Sequence, residues 1–565
     1  MPEQCPCYIK EGKLNSTNPS SECFLSQNKY LCFLRKEYLF SILCVISGLL
    51  FFFELGGRSF ELRDVPRYAE MAREMLHSGS WMVTKFHGHI YMSKPPMLMW
   101  LIAIFSSVGH QVTPLTARLP NALGGFAGVL MTYYFTQKFS TKRIAFLSAV
   151  ILTTCQKYFW HGREARTDML FTVFVMFALY FFYLGYREKR GFYIGFYLSL
   201  VFATLTKGPL GIIFAFSIIA TYLALQRDLK SFKTMQWHWG AVIFVSLVGA
   251  WVTIFCLKVG IKPLMFTVKN EFLTRVNKPI SHAEPFYYYF VKIWTDFAPW
   301  SLLIPFACIY AYKKWREGNS HLTFISCWLV VIFVFLFAAK AKCTRYMIPL
   351  FPALSILVAN LINDTYENII LSPRWLTSIT RWIVLILAII AAVAAVAVPS
   401  YFLKPLWIGI IISILILVIL IKLFLHFRKK NQLLKVSIAF IILITSAGWM
   451  IYIDQLTKES NRRSFGPALV STIKEETTAW DGYTIRGYKI DRSVWNIINM
   501  NLNMPIPRIE SLEELRQFLN STDTKSICIM EKIVFDKIKE DVLNNEIKTI
   551  DIYAKKHPLV VLTRK

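Results

Sequence analysis

Long apolar segments separated by short polar connections dominate the chain from residue 38 to residue 454. Segments of about 18 or more apolar residues are long enough to cross a bilayer as helices. The pattern therefore predicts an all-α polytopic membrane protein with about 13 transmembrane helices. The predicted membrane segments are 38–55, 116–137, 143–160, 168–186, 191–206, 209–225, 236–257, 298–312, 322–339, 345–361, 381–399, 404–425 and 433–453.

One apolar segment, 97–110, is too short to cross the bilayer comfortably. If it crossed, Lys138, Lys142 and Arg143 would face outward and every later basic connection would be inverted. We therefore predict that 97–110 is a helix lying in the membrane interface, with Trp100 as its anchor.

The formal net charge of +28 fits this arrangement. Lys and Arg cluster at 187–190, 227–233, 313–316 and 428–430, which are all connections that the arrangement places inside. No basic patch interleaved with aromatic residues stands apart from the membrane segments, so we do not expect nucleic-acid binding. The N-terminus is then cytoplasmic, and the loop 58–96 lies on the outer side.

The two ends of the chain lack the membrane pattern. Residues 1–35 form a polar tail, and 36–454 form the membrane domain with its outer loop 58–96. Residues 455–565 predict a small outer α/β domain, with helices at 469–477 and 512–519 and strands at 483–490, 526–530 and 559–562.

Two carboxylates in the outer connections are candidates for catalysis. Asp64 follows the first membrane segment, and Asp168 begins the fourth. Either one suits a general base or a divalent-cation ligand. The alternative is simple pairing with neighbouring arginines, Asp64 with Arg63 or Arg67 and Asp168 with Arg166.

Several Lys and Arg residues lie in predicted outer connections, although the positive-inside rule favours such residues on the inner side. We therefore expect them to bind an anion. Lys94 is followed by Pro95 and Pro96, which restrict the backbone that presents its ammonium group. Such cations would stabilise the negative charge that develops on a departing phosphate. The candidates are Lys94, Lys207, Lys340, Lys342 and Arg345. The alternative is contact with lipid headgroups.

Metal binding has weaker support. His87, His89 and His282 are the outer histidines that could serve as ligands, and a polar turn explains His87 and His89 equally well. The sequence has no HExxH, Walker or GxGxxG motif. The sequence therefore establishes no cofactor, and it leaves open the binding of a divalent metal.

Taken together, several motifs resemble the membrane glycosyltransferases of the GT-C type, in the superfamily of aminoarabinose transferases and protein O-mannosyltransferases. The resemblance runs from about residue 45 to residue 360 and includes the C-terminal outer region. The motifs are Asp64 with RYAEMAREM (67–75), SGSW (78–81), Tyr91 with Lys94-Pro95-Pro96, ARLP (117–120), Arg166-Thr167-Asp168, LTKGP (205–209), PFYYY (285–289), PWS (299–301), and Arg345-Tyr346 with IPLFPAL (348–354).

The resemblance implies roles for individual residues. Asp64 matches the catalytic-loop Asp, and Asp168 matches a second outer acid. Lys94 matches the Lys that meets the lipid phosphate, and Arg275 and Tyr346 match positions that line the phosphate cavity. Arg67, in the same loop as Asp64, is a further candidate for phosphate binding. Two positions depart from the family pattern: Val65 follows Asp64, and Ser93 stands where aminoarabinose transferases often have a metal-binding Glu.

The resemblance implies an inverting glycosyltransferase of a bacterial inner membrane with a periplasmic active site. Its expected partners are an undecaprenyl-phosphate sugar donor, a lipid A or glycolipid acceptor, and membrane lipids. The expected sugar is 4-amino-4-deoxy-L-arabinose or a related one. Two alternatives remain open, a protein O-mannosyltransferase and a transporter or flippase. Against the latter, the charges concentrate in outer loops instead of at the membrane midplane.

Overall fold

A computed structural model gives the architecture. It describes residues 38–60, 64–268, 284–339, 341–367, 375–402, 418, 422, 433–463, 465–477, 483–502, 504–521, 525–542, 547–552 and 558–564. The predicted N-terminal tail and nearly all of the predicted membrane segment 404–425 lie outside these residues.

The described part of the membrane region is helical. In chain order its helices are α1 (Tyr38–Phe52), α2 (Asp64–Ser78), α3 (Met97–Ser107), α4 (Pro114–Gln137), α5 (Lys142–Thr154), α6 (Gln156–Gly162), α7 (Thr167–Arg187), α8 (Phe192–Lys207), α9 (Leu210–Leu225), α10 (Trp237–Val259), α11 (Ile261–Val268), α12 (Tyr288–Asp296), α13 (Ile304–Arg316), α14 (Ser320–Ala338), α15 (Phe351–Tyr366), α16 (Trp375–Phe402) and α17 (Leu433–Arg463). A short hairpin, β1 (Lys85–Phe86) and β2 (His89–Ile90), follows α2.

Among the described residues, six helices are long and apolar enough to cross a membrane: α7, α10, α14, α15 with the turn that begins at Thr344, α16 and α17. Shorter apolar helices are α1, α3, α8 and α9. A multi-pass membrane protein is therefore confirmed, whereas the count of about 13 crossings stays a prediction. The short segment 97–110 is indeed helical at Met97–Ser107, and its depth in the membrane stays a prediction.

The connection between α1 and α2 is fixed by two buried arginines. Arg163 donates hydrogen bonds to the carbonyl oxygens of Leu50, Phe51 and Phe53. Arg118 donates to those of Leu55, Arg58 and Ser59. Carbonyls beyond a helix end need such donors. The two side chains therefore set where the backbone enters the outer loop.

The C-terminal part contains helices α18 (Gly466–Thr477), α19 (Arg492–Leu502), α20 (Leu512–Asn520) and α21 (Lys532–Val542), and strands β3 (Tyr483–Tyr488), β4 (Arg508–Ile509), β5 (Lys525–Glu531), β6 (Ile547–Ile552) and β7 (Leu559–Arg564). The sheet order is β4-β3-β5-β7-β6. Strand β3 is parallel to β4 and β5, and β7 is antiparallel to β5 and β6.

The predicted helices 469–477 and 512–519 lie within α18 and α20, and the three predicted strands overlap β3, β5 and β7. Helices α19 and α21 and strands β4 and β6 were not predicted. The domain boundary at 454/455 stays a prediction, and α17 runs through it without a break.

The outer loop and the C-terminal part share one hydrophobic core. Met71 and Met75 of α2, Phe86 of β1 and Ile102 of α3 belong to the same buried cluster as Ile498 of α19. Each of these side chains is at most 6% exposed. Because burial of apolar area is the main stabilising term, neither part has a complete core without the other.

We expect Arg163→Ala to lower the thermal unfolding temperature of the purified protein by several degrees. It removes three hydrogen bonds from a side chain that is 6% exposed, and it leaves three carbonyls without this donor. Arg190→Ala, at an exposed position, is the matched control. Equal melting temperatures for the two variants would contradict this role of Arg163.

Candidate active site

A buried ion pair lies where α7 begins and α8 ends. Lys207 Nζ is 2.5 Å from Asp168 Oδ1, and the two side chains are 12% and 6% exposed. The turn before α7 is positioned by Asn121, whose amide donates to the carbonyls of Glu164 and Arg166. Two charges are tolerated at such a depth because each neutralises the other.

Further cationic and aromatic groups surround this pair. Arg345 Nε lies 3.6 Å from Asp168 Oδ2. Lys207 Nζ lies 4.8 Å from the ring centroid of Tyr346 and 5.1 Å from that of Phe171. Two cations, Lys207 and Arg345, therefore converge on this carboxylate, and cations gathered in this way suit an anionic ligand.

Lys342, three residues before Arg345, makes contacts of a different kind. Its ammonium group donates to the carbonyls of Ala339 at 2.6 Å and Phe337 at 3.3 Å, and it stabilises the C-terminal end of α14. It is also 5.8 Å from the ring centroid of Tyr289, whose hydroxyl accepts from the backbone N–H of Cys343. Lys342 is thus a helix cap, and its contact with phosphate stays a prediction.

The first outer loop contributes a second set of predicted residues. Asp64 is the first residue of α2, and the structure describes its backbone alone. Arg67, one turn further, stacks its guanidinium 5.3 Å from the ring of Tyr68 and 5.7 Å from that of Tyr91. Lys94 is half-buried in the turn that leads into α3.

Hydrophobic packing brings the outer loop to the same end of the molecule as Asp168. Leu170 of α7 belongs to one buried cluster with Tyr68 and Met71 of α2. Met97 at the start of α3 packs in a cluster with Leu205 of α8, two residues before Lys207. Lys94 and Lys207 therefore stand at neighbouring helix ends.

Three predicted site residues lie outside the described residues: Arg275, Lys340 and His282. His89 is exposed on β2. The roles proposed for all of these residues, like those of Asp64 and Lys94, stay predictions.

A second polar group, further along α2, contains His87. Arg73 donates two hydrogen bonds to Glu70, at 2.9 and 2.8 Å, and Glu70 also accepts from Asn499 of α19. Glu74 accepts from the backbone N–H groups of His87 and Gly88. Burial raises the pKa of Glu74 above its ordinary value, and these two backbone donors oppose the rise.

Among the described residues, ligand atoms of Glu70, Glu74 and His87 lie within 4.8 Å of one another. The donor set fits a divalent ion poorly. Both oxygens of Glu70 are bound by the guanidinium of Arg73, and both oxygens of Glu74 accept backbone hydrogen bonds. A cation there would have to displace Arg73 and would face its charge.

The C-terminal side chains that face α2 were not among the predicted site residues. Trp495, Asn496 and Asn499 contact the outer loop, His87 Nε2 lying 2.7 Å from Asn496 Oδ1. The available signal was the amphipathic pattern of 492–502, whose polar asparagines recur at 496 and 499 on the buried face.

The amino-acid sequence is similar to those of membrane sugar transferases and of one uncharacterised protein. The family described as dolichyl-phosphate-mannose-protein mannosyltransferase matches residues 93–254. An uncharacterised protein of Aquifex aeolicus is 29% identical over 361 residues, which are 63% of this chain and 69% of that protein. The undecaprenyl phosphate-alpha-4-amino-4-deoxy-L-arabinose arabinosyl transferase of Aeromonas salmonicida is 26% identical over 358 residues. That match spans 61% of this chain and 64% of the Aeromonas protein, a little under two thirds of its length.

The fold also resembles a solved structure over nearly its whole length. The crystal structure of ArnT from Cupriavidus metallidurans bound to undecaprenyl phosphate aligns with a TM-score of 0.72 and 19% sequence identity. The alignment covers 93% of this chain and 98% of that one, so the two share a fold over nearly their whole length.

We expect Lys207→Met to destabilise the protein by about 3–5 kcal/mol, because it leaves the buried carboxylate of Asp168 without its nearest cation. The double variant Asp168→Asn with Lys207→Met should recover much of that loss, since it also removes the charge. Thermal unfolding of the single and double variants measures both effects, with Lys532→Met, from an exposed ion pair, as control. A double variant less stable than Lys207→Met would contradict this account.

Proposed function

The chain belongs to the superfamily of membrane glycosyltransferases that contains the aminoarabinose transferases and the protein O-mannosyltransferases, and we propose that it is an inverting glycosyltransferase using an undecaprenyl-phosphate sugar. The proposed acceptor is lipid A or another envelope glycolipid. The proposed sugar is 4-amino-4-deoxy-L-arabinose or a related sugar. We place the protein in a bacterial inner membrane, with its N-terminus cytoplasmic and with loop 58–96 and the C-terminal region periplasmic.

The observation that carries this proposal is the cationic group around Asp168. It stands at one end of helices α7 and α8, next to the outer loop, and Lys207 and Arg345 both approach the carboxylate of Asp168 there. A lipid-linked phosphate arriving at the membrane surface would meet this group. The fold shared with a protein crystallised with undecaprenyl phosphate supports the same assignment.

The proposed reaction is a single displacement. The acceptor oxygen forms a bond to the anomeric carbon while the bond from that carbon to the phosphate oxygen breaks, and undecaprenyl phosphate leaves with the electron pair. Lys94, Lys207 and Arg345 would stabilise the negative charge that develops on the phosphate. A hydroxyl acceptor would need a base, for which Asp64 is the candidate. A phosphate acceptor is already ionised, and Asp64 would then position cations.

The second candidate function is protein O-mannosylation, in which a Ser or Thr hydroxyl is the acceptor. The family match at residues 93–254 favours it. We prefer a glycolipid acceptor because similarity to an aminoarabinose transferase extends over 358 residues and the fold shared with ArnT covers 93% of this chain. Membership of a glycosyltransferase superfamily argues against a transporter or flippase.

We expect the purified protein to add an aminoarabinose-sized mass to lipid A when it is given undecaprenyl-phosphate aminoarabinose. Mass spectrometry of the product gives the readout. Lys94→Ala should lower kcat at least about 100-fold, because it removes a cation that acts on the leaving group. Lys230→Ala, at an exposed position in the connection between α9 and α10, is the matched control.

Two results would count against this assignment. Sugar transfer to peptide hydroxyls from a polyprenyl-phosphate mannose, with none to lipid A, would establish the mannosyltransferase alternative. Full activity of Lys94→Ala would remove Lys94 from the phosphate site. A separate measurement concerns the role of Asp64 and does not bear on the assignment. Loss of activity in Asp64→Asn with a phosphate acceptor would show that Asp64 does more than transfer a proton.

We further propose that transfer does not depend on a divalent cation. Ser93 offers no carboxylate, and the carboxylates of Glu70 and Glu74 are already bound by Arg73 and by backbone N–H groups. Activity after EDTA treatment should therefore stay within about twofold of the untreated enzyme. Loss of activity with EDTA that Mg²⁺, Mn²⁺ or Zn²⁺ restores would overturn this proposal.

A further inference from the structure

A cavity of about 510 Å³ lies between the outer loop and the C-terminal part. Its walls come from α2 and β1 on one side and from α19 and the approach to β4 on the other. Cavities that bind small molecules typically measure about 300–1,000 Å³. None of the residues around Asp168 lines it, so it is a different site from the proposed phosphate site.

The charges that line this cavity do not cancel. Arg73 and Glu70 neutralise each other through two hydrogen bonds, and Glu74 is bound by two backbone N–H groups. Lys85 and Arg508 also line the cavity, and the structure gives neither a carboxylate partner among the described residues. The cavity therefore has three cations and two carboxylates, and Lys85 and Arg508 supply the charge that is not paired.

Arg508 is held in place for ligand binding. Its guanidinium lies 4.4 Å from the ring centroid of Trp495, which is itself 3% exposed. Stacking on a buried ring limits the rotamers of the arginine while its edge, with several N–H donors, stays in solvent. A guanidinium presented in this way binds a phosphate or carboxylate bidentately, and less conformational entropy is lost than for a free side chain.

We propose that this cavity binds the phosphorylated sugar headgroup of the acceptor, with the phosphate between Lys85 and Arg508. This inference rests on the proposed function and gives the acceptor a defined subsite. Of the α2 residues that line the cavity, Glu70 is the first in the chain, and it is six residues beyond Asp64, which corresponds to about 9 Å along a helix axis. The cavity therefore holds a part of the acceptor that is remote from the reacting oxygen.

A remote subsite has a kinetic signature. Contacts that are equal in the ground state and the transition state change KM, whereas contacts that form in the transition state alone change kcat. Lys85→Ala and Arg508→Ala should therefore raise the KM for the acceptor without a proportionate loss of kcat. The KM for the donor should stay constant.

Binding of a soluble headgroup tests the site without turnover. Glucosamine 1-phosphate is titrated into the full-length protein in detergent micelles and followed by calorimetry. Lys85→Ala and Arg508→Ala should each weaken binding about tenfold, because each removes one charged partner of the phosphate. Lys85→Arg should retain most of the affinity. Lys537→Ala, an exposed cation on α21 away from the cavity, is the control.

Two comparison ligands separate the contributions of sugar and phosphate. Glucosamine tests the sugar alone, and inorganic phosphate tests the charge alone. Both should bind more weakly than glucosamine 1-phosphate. Equal affinity of glucosamine, or unchanged affinity in both alanine variants, would overturn the proposal.

Failure of the subsite and failure of the proposed function give different results. If sugar transfer to lipid A occurs but neither variant changes headgroup binding or acceptor KM, the subsite is wrong and the function stands. If the headgroup binds through Lys85 and Arg508 but no sugar reaches lipid A, the cavity is a phosphosugar site and the proposed function is wrong.

Discussion

The ion pair between Asp168 and Lys207 is the interaction on which the candidate site depends. Both side chains are largely removed from water, and a charge at such a depth is tolerated only with its partner in contact. That requirement ties the first turn of α7 to the last residue of α8. It also places Arg345 and Tyr346 beside them, where the turn before α15 reaches the same carboxylate. One buried pair therefore gathers residues from three segments that are far apart in the sequence.

The outer loop is positioned by burial and by buried arginines. The guanidinium groups of Arg118 and Arg163 bind six carbonyls between residues 50 and 59, just before α2 begins. Further along, α2 presents Met71 and Met75 to a core that it shares with α19. A helix carrying a candidate base needs a fixed position relative to the donor phosphate, and fixed positions favour catalysis. The C-terminal part thus helps to hold the outer loop in position, and the cavity between them is a consequence of their packing.

Much of the site could be predicted because its chemistry appears where a membrane sequence does not favour it. Lys207 and Arg345 are cations at the ends of apolar segments where the predicted orientation does not favour them, and Asp168 is an acid in the first turn of an apolar helix. Charged residues at such positions are rare, so they can be recognised in the sequence. Trp495, Asn499 and Arg508 conflict with no local rule. They belong to an ordinary amphipathic helix and a short strand of a small α/β region, so nothing in their own segments distinguishes them. The role of Lys342 was also hidden, because a carbonyl at a helix end and a phosphate both select a cation.

Although it did not predict elements such as α2, α19 and α21, the sequence alone determined the membrane class, the long apolar helices that the structure describes, and the chemical character of the polar connections. These properties follow from length and periodicity of apolar residues, which act within one segment. Only the tertiary structure decided which charges meet. The partners in the pair Asp168–Lys207 are 39 residues apart, and Glu70 and Asn499 are 429 apart. Such contacts depend on how whole helices pack, and each segment on its own is compatible with many partners.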